Sequence, residues 1–280
     1  MFLRYVFFLG SFGLLLCSSK FLISTKAADL TARDVAQSLF QARPGQSINF
    51  SGKNLSGLNL ADLNFSGANL SGADLLGADL SGAIMRGVNL SGVRLDRATL
   101  TRTDFTEANL EKASILRPSI YSAFTSSETS WTEAPRFTRS RMAGAHLFGH
   151  FDYADFKGAD LKGAIFVGRN PRDENTSLGR AGLFSGDFEG ANLEGADFTD
   201  GKLAFASFKN AEASKVCFVG ADLSRADFAG ANIADADFTG ANVDETNFKD
   251  AKGFEKAKGL DKTVNRERLL SPGLVGETNR

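Results

Sequence analysis

The sequence predicts an all-β solenoid in which the chain coils repeatedly around a core of stacked apolar side chains. Three observations predict it: a large apolar residue recurs at every fifth position, small residues and Gly recur in phase with it, and Phe occupies alternate apolar positions in the C-terminal half. A period of five keeps one face of neither an α-helix nor a β-strand, because five helical steps rotate by about 140° and an odd number of strand steps changes side. The chain must therefore turn a corner in every repeat, which is typical of a solenoid.

Composition excludes several other classes of protein. The 280 residues are 42% apolar and 23% charged, with 25 Phe and 29 Gly but only 5 Pro, 2 His and 2 Cys. This apolar fraction excludes a disordered chain, and the pattern excludes a multi-span membrane protein. Two His and two Cys leave few candidates for a metal site or a nucleophile.

Residues 1–28 are predicted to be a secretory signal peptide. They carry three basic residues and no acidic one, and an apolar run extends from Tyr5 to Cys17. As a helix this run rises about 20 Å, which is too short for the apolar core of a bilayer at ~30 Å. We therefore expect cleavage after Ala27 or Ala28 and export to a bacterial periplasm or the medium, with only transient membrane contact. An uncleaved membrane anchor is the alternative.

Residues 29–45 are predicted to form a capping helix over the first coil. Thr31 is a favourable N-cap, Asp34 occupies the capping-box position, and Pro44-Gly45 stops a helix that runs from 32 to 42. The side chains expected to close the core at this end are Val35, Leu39 and Phe40.

The repeat region is predicted to span residues 46–252, with loop insertions at 121–136 and 167–182, and residues 253–280 form a C-terminal cap and tail. It contains 36 apolar anchor positions, or about nine coils of four. Seven Phe at alternate anchors indicate four sides, because a three-sided coil would spread them over every side. One step, from Leu147 to Phe151, has only four residues.

The anchors form continuous columns if each insertion leaves from a corner without skipping a side. One column then consists almost entirely of Phe, and its neighbour is mostly Leu. The predicted core ladder comprises Phe65, Phe105, Phe137, Phe156, Phe188, Phe208, Phe228, Phe248, Leu60, Leu80, Leu100, Leu203 and Leu223.

Two stretches carry a resemblance to a known family. Ala68-Asn-Leu-Ser-Gly-Ala-Asp-Leu-Leu-Gly-Ala-Asp-Leu80 and Ala221-Asp-Leu-Ser-Arg-Ala-Asp-Phe-Ala-Gly-Ala-Asn-Ile233 resemble the pentapeptide-repeat family, in which Ala precedes Asp or Asn and then Leu or Phe. The resemblance implies a right-handed quadrilateral β-helix with four pentapeptides per coil. The functions of the family are diverse, so the resemblance alone implies no particular role.

We interpret the chain as a non-enzymatic exported scaffold or protein-binding rod that needs no cofactor and binds an exported protein through its surface loops. Catalysis needs a concave, partly dry pocket, which a convex rod does not offer. Both insertions flank the same side of the coil, and they hold Trp and Arg, the residue types most enriched at binding hot spots. The candidate partner-binding residues are Trp131, Arg136, Arg139, Arg141, Arg169, Arg172 and Arg180.

A metal-binding or enzyme-associated accessory protein is one alternative function. His146 and His150 flank the irregular step, and Asp152 and Asp155 are near enough in sequence to complete a site at residues 146–155. The simpler interpretation is that both histidines face outward on the surface and bind no metal. After signal cleavage a single cysteine, Cys217, remains, and we expect it to be exposed because it precedes an anchor.

A DNA mimic is the other alternative, because one subgroup of the family resembles a DNA rod and occupies topoisomerases. Mimicry requires a strongly acidic surface. The net charge is −7 over residues 183–252, but it is 0 over 29–120 and +1 over 121–182. The charge distribution and the signal peptide argue together against nucleic acid or topoisomerases as the partner.

Overall fold

A computed structural model describes residues 27–43, 45–120, 130–167, 169–170, 173–177 and 181–260. These residues form a β-solenoid. Its helical elements are α1 (Ala32–Gln41), α2 (Ser130–Glu133) and a 3₁₀ turn (Phe254–Lys256), and its strands are β1 (Ser114–Leu116), β2 (His146–Phe148), β3 (Arg169–Asn170) and β4 (Asp173–Ser177). Within these ranges, no helix has the length and apolar character needed to span a bilayer. Residues 1–26 of the predicted signal and the tail after Leu260 lie outside the described residues.

Parallel bridges between successive coils hold the solenoid together. In most coils the residue before each anchor pairs with the residue 20 positions later, which lies on the next coil; Asp222, for example, pairs with Asn242. Across each insertion the step lengthens to 32 residues, because Asp104 pairs with Arg136 and His150 pairs with Gly182. The column register therefore passes through both insertions without skipping a side, as the sequence led us to expect.

Apolar anchors fill the interior. All thirteen side chains of the core ladder are buried, as are most of the small residues two positions before the anchors. In the Phe column, successive rings from Phe105 to Phe248 stack with centroids 4.5 to 5.2 Å apart. Each buried anchor contributes roughly 1.5–3 kcal/mol of transfer free energy before the entropy cost of ordering the chain.

A backbone turn forms each corner. At the first Phe of the column, the amide N–H of Ala68 donates to the carbonyl of Phe65 at 2.8 Å, and Gly67 between them has a φ of 80°. The equivalent position of other coils is often not Gly; Arg102, for example, has a φ of 55°. The Asn or Asp before each anchor also supports the turn, since Asn69 Oδ1 accepts the N–H of Ser71 at 3.1 Å.

The four-residue step after Leu147 replaces a corner with a short strand. β2 pairs in parallel with β1, and Phe148 is buried in addition to the anchor. Gly149 has a φ of 142°, and a Cβ there would lie 3.0 Å from Pro118 Cδ and 3.1 Å from Arg117 Cα. The short step therefore requires glycine at this position.

Helix α1 closes the N-terminal end of the core with its Val35 side. Thr31 and Asp34 form the expected capping box, Val35 is buried, and Leu39 packs on the core. The expectation for Phe40 is wrong, because its side chain is 92% exposed. Val35 and Leu39 are four residues apart and share a face, whereas the next residue is rotated by about 100° from it. The helix also ends at Gln41, one residue earlier than expected, and Pro44 lies outside the described residues.

The C-terminal end is covered by the 3₁₀ turn. The ring of Phe254 packs edge-on against Phe248, with centroids 5.6 Å apart, and Leu260 is buried. The apolar column therefore ends against a side chain rather than in water.

Cys217 differs from its sequence expectation. It does precede the anchor Phe218, but it is half-buried rather than exposed. Its Sγ lies 3.2 Å from Thr199 Oγ1 of the preceding coil, and this neighbour covers part of the thiol.

We predict that the interior side of the repeat determines stability and the exterior side does not. Phe208 is fully buried between Phe188 and Phe228, so Phe208→Asp places an unpaired carboxylate in the stack and should lower the free energy of unfolding by more than about 4 kcal/mol. The adjacent exposed substitution Lys209→Ala removes one surface ion pair and should cost less than about 1 kcal/mol. Chemical denaturation of both variants checks this, and equal losses would contradict the assignment.

Candidate functional site

Arg136, the residue at which the first insertion rejoins the coil, is held by a buried carboxylate of the preceding coil. Asp104 is 4% exposed, and its Oδ2 accepts from Arg136 Nη2 at 2.7 Å and from Arg86 Nε. Its Oδ1 accepts from the hydroxyl of Thr106 at 2.5 Å and from the amide of Thr106 at 3.1 Å. Burial raises the pKa of Asp104, but the hydrogen bonds from Thr106 and Arg86 and the charge of Arg136 outweigh it, so the pKa lies below that of an ordinary aspartate. Asp104 therefore stays ionised and fixes the guanidinium.

Arg139 and Arg141 continue the row along the same coil. Arg139 Nη2 and Nε donate to Glu107 Oε1 at 2.7 and 3.1 Å, and Arg141 Nε lies 3.8 Å from Glu111 Oε1. The two arginine side chains nevertheless remain 63% and 61% exposed. The row is thus oriented by the neighbouring coil and open to solvent.

A cleft of about 430 Å³ lies where the first insertion rejoins the rod. The backbone N–H of Arg102 donates to the carbonyl of Glu133 at 2.8 Å, which ties the returning segment to the coil below. Trp131 lies in α2, one position before a residue that lines the cleft, and only its backbone is described. The cleft is lined by Arg102, Thr132, Ala134, Pro135, Arg136, Tyr153 and Asp155.

The second insertion contributes little to this site within the described residues. Arg169 lies in β3, which pairs with β4 as an antiparallel hairpin, and its side chain is outside the description. Arg172 and Arg180 lie outside the described residues altogether. The structure therefore places three of the seven candidate residues, Arg136, Arg139 and Arg141, in one row, and the backbone of Trp131 beside the cleft.

Sequence reasoning missed a row of three aromatic rings, one half-buried and two exposed, that starts at the cleft. Tyr153, Phe184 and Phe205, which we call the aromatic ridge, have successive ring centroids 5.7 and 5.2 Å apart. Phe184 is 37% exposed and Phe205 is 45% exposed. The guanidinium carbon of Arg225 lies 5.4 Å above the Phe205 ring and extends the row by one coil. The sequence does contain a signal for this row, because neither Phe184 nor Phe205 falls on one of the anchor positions that recur every five residues.

The histidines of the proposed metal site do not converge. His146 Nε2 lies 3.0 Å from the carbonyl oxygen of Val167, while His150 Nδ1 is 3.8 Å from Asp152 Oδ2. The carboxylate of Asp155 accepts from the hydroxyl of Thr138 at 2.8 Å. In the part of the chain that the structure describes, no group of three or more His, Cys, Asp and Glu is placed to hold a metal ion.

We predict that Asp104 makes stability depend on pH. A folded-state pKa below the unfolded value of about 3.9 contributes stability above that pH, and this contribution is lost as the pH falls through the folded pKa. Asp104→Asn should therefore lower the free energy of unfolding by about 1–3 kcal/mol at neutral pH and by progressively less toward pH ~2. Denaturation at several pH values measures the difference. The exposed Glu111→Gln is the control, and a pH-independent difference for Asp104→Asn would contradict the prediction.

Comparison with known proteins agrees with the architecture. Among solved structures, the chain is similar to HetL, a pentapeptide repeat protein involved in heterocyst differentiation regulation from the cyanobacterium Nostoc sp. strain PCC 7120, with a TM-score of 0.60 at 20% identity over 85% of this chain and 98% of that one. It also matches a pentapeptide repeat protein from the Arabidopsis thaliana thylakoid lumen, with a TM-score of 0.25 at 27% identity over 46% and 70% of the two chains. A third match is QnrB1, a plasmid-mediated fluoroquinolone resistance protein, with a TM-score of 0.33 at 16% identity over 79% and 92%.

The sequence itself identifies the family. No curated protein sequence matches the chain significantly. The family model described as pentapeptide repeats matches in eight copies, over residues 48–87, 83–115, 176–212, 187–225 and 218–250. These matches cover about half of the chain and both halves of the solenoid. The protein belongs to the pentapeptide-repeat family.

Proposed function

We propose that this protein is a non-enzymatic, exported scaffold that binds another exported protein through the surface around its first insertion. The observation that carries the proposal is the oriented row of Arg136, Arg139 and Arg141 beside the cleft. The row interrupts an otherwise regular surface at the point where extra sequence enters the coil.

The inferred architecture is a right-handed, four-sided coil of about nine turns. Pairing between every fourth anchor supports four sides, and 36 anchors correspond to nine turns. The general right-handedness of parallel β crossovers and the similarity to HetL support the hand and the shape. Such a rod presents long, flat columns of side chains on which a partner can align.

The arginine row suits recognition of a protein surface. A guanidinium carries five N–H donors in a fixed plane, and Glu107 occupies only two of those on Arg139. Because the ion pair already restricts the side chain, less conformational entropy is lost when a partner binds. Arg139 and Arg141 therefore offer free donors toward carboxylates or backbone carbonyls of a partner.

Export is the part of the proposal that rests on the sequence of residues 1–28. A basic start, a short apolar run and small residues near Ala27 support it. The intact mass of the protein recovered from the periplasm or medium tests it directly. A mass corresponding to loss of about 27 or 28 residues is expected, and recovery of the full-length chain in the cytoplasm alone would contradict export.

We predict that the arginine row determines partner capture without determining stability. Arg139→Ala combined with Arg141→Ala should reduce by about tenfold or more the capture of proteins that wild type enriches from the exported fraction, because hot-spot residues typically cost over 1 kcal/mol each. Each lost exposed ion pair should change the free energy of unfolding by about 1 kcal/mol or less. Quantitative mass spectrometry of the captured proteins and thermal denaturation provide the two readouts.

Arg94→Ala is the matched control for this experiment. Arg94 is also an exposed arginine paired with the preceding coil, at 2.5 Å from Asp74, but it lies in the column of Asn54 and Asp74 on another side of the rod. Its substitution should leave capture unchanged. Equal capture by wild type and the double variant, or equal loss with the control, would refute a specific role for the row.

A further inference from the structure

Two arginines of the rod lack the ion pair that the other described arginine side chains of the repeat region make. Arg97 and Arg117 are both exposed, and neither side chain forms an ion pair or a hydrogen bond with any residue that the structure describes. Each of the others lies within ion-pair distance of a carboxylate. The paired arginines are Arg86, Arg94, Arg102, Arg136, Arg139, Arg141 and Arg225.

The two unpaired arginines are neighbours on one corner of the rod. Arg94 pairs with Ser114 in a parallel bridge, so the residues three positions after them occupy the same place on successive coils. The backbone agrees, because Arg97 and Arg117 have φ values of 58° and 52°, and the amide N–H of Arg97 donates to the carbonyl of Leu116 at 2.8 Å. Since successive coils are about 4.8 Å apart, two like charges are attached to the backbone at that spacing.

The adjacent carboxylate is engaged elsewhere. Asp96 lies next to the first arginine in sequence, but its Oδ1 accepts from the hydroxyl of Ser114 at 2.6 Å and from the amide of Leu116 at 3.1 Å. On the two flanking coils, the same corner position holds Gly77 and Gly149, which carry no side chain. A Cβ added at Gly77 would have no atom within 4 Å. The two guanidinium groups, which we call the arginine pair, therefore have no counter-charge and open space beside them.

The arginine pair is separate from the insertions and from the surface proposed to bind a protein. The second insertion leaves this corner two coils after Arg117, beyond Gly149, and the first leaves from the next corner, after Ile120. Neither Arg97 nor Arg117 lines the cleft or belongs to the arginine row. The pair and its neighbours on the adjacent coils of this corner are all described residues.

We propose that Arg97 and Arg117 together bind the phosphate group of a phosphate monoester. One dianion neutralises both guanidinium groups, whereas a carboxylate carries only one charge. A phosphate monoester has a charge of about −1.5 to −2 at neutral pH and three strong acceptor oxygens, and each guanidinium donates two parallel N–H groups to such oxygens. Half-buried Leu76 and Leu116, on the coils before and after Arg97, offer carbon surface to the organic part of the ester.

The charges and the fixed backbone set the expected affinity. In the free protein the two guanidinium groups repel each other, and an anion between them removes this repulsion. Both side chains extend from corners that the hydrogen bonds between coils hold in place, so less entropy is lost on binding than from a flexible loop. For a solvent-exposed site with charge-assisted hydrogen bonds, we expect a dissociation constant of about 1 mM at low ionic strength, which rises with salt.

Titration of the purified protein with inorganic phosphate, followed by amide NMR spectra, tests the site. The signals of Arg97 and Arg117 should shift and saturate together. Arg97→Gln and Arg117→Gln should each weaken binding about tenfold or more, without lowering thermal stability, because neither removes an ion pair. Arg225→Gln is the matched control, since Arg225 is an exposed corner arginine with a φ of 58°, and its loss should leave phosphate binding unchanged. No shift at either arginine, or equal weakening by the control, would overturn the proposal.

Charge and geometry are separated by two further measurements. Arg97→Lys combined with Arg117→Lys keeps both charges but loses the planar donor pairs, so phosphate should bind about fivefold or more weakly. At equal ionic strength, sulfate should displace phosphate and acetate should not, because the pair requires a dianion. Displacement by acetate as effective as that by sulfate would overturn the assignment to phosphate.

Vesicles of phosphatidylcholine, with and without phosphatidic acid, distinguish a lipid source of the phosphate from a soluble one. Flotation with the phosphatidic acid vesicles that Arg97→Gln and Arg117→Gln together abolish would assign the site to a lipid headgroup. Saturation by inorganic phosphate without flotation would assign it to a soluble monoester, and the absence of both would overturn the site. The same double variant should still capture the protein partner of the arginine row, so the two proposals fail independently.

Discussion

A backbone turn with positive φ, repeated at every fifth residue, determines the geometry of the whole rod. The turn directs each anchor inward and aligns the N–H and C=O groups before and after it with those of the neighbouring coils. The turn is present at Gly67 and also at Arg102, although a residue with a side chain adopts the left-handed backbone conformation only at a cost in free energy. The cost is tolerated because each coil supplies hydrogen bonds and buried apolar area that depend on the corner being there.

Because the backbone fixes the corners, the outward side chains are free to serve interactions between coils and with other molecules. Acidic residues before an anchor mostly accept turn N–H groups, which accounts for their abundance. Elsewhere the same surface holds ion pairs between adjacent coils, such as Lys162 with Glu194 and Arg139 with Glu107. The functional candidates are the arginine row, whose members keep exposed donors beyond such pairs, together with the cleft and the aromatic ridge.

The columns were predictable from sequence because Phe and Leu recur at the five-residue period. A large apolar residue at an anchor position can only point into the core. Phe40 was mispredicted because a helical rotation, not the five-residue period, sets its direction. The partners of Arg136 and Arg139 were not predictable from local sequence, since Asp104 and Glu107 are 32 residues earlier and meet them only after the insertion is threaded. Phe184 and Phe205 were not predicted because the five-residue period identifies only the inward anchors, although aromatic residues outside that period are themselves a signal of an exposed site.

The step of 32 residues across each insertion has a consequence for how such a protein changes over evolutionary time. Twelve additional residues leave from one corner and return to the next side, and the bridges on both flanks keep the partners they would have had without them. A corner is thus a position at which new sequence is acquired at little cost to the neighbouring coils. Variation in this rod is therefore expected to accumulate by the lengthening of single corners, which changes its outer surface while its interior remains under the same selection.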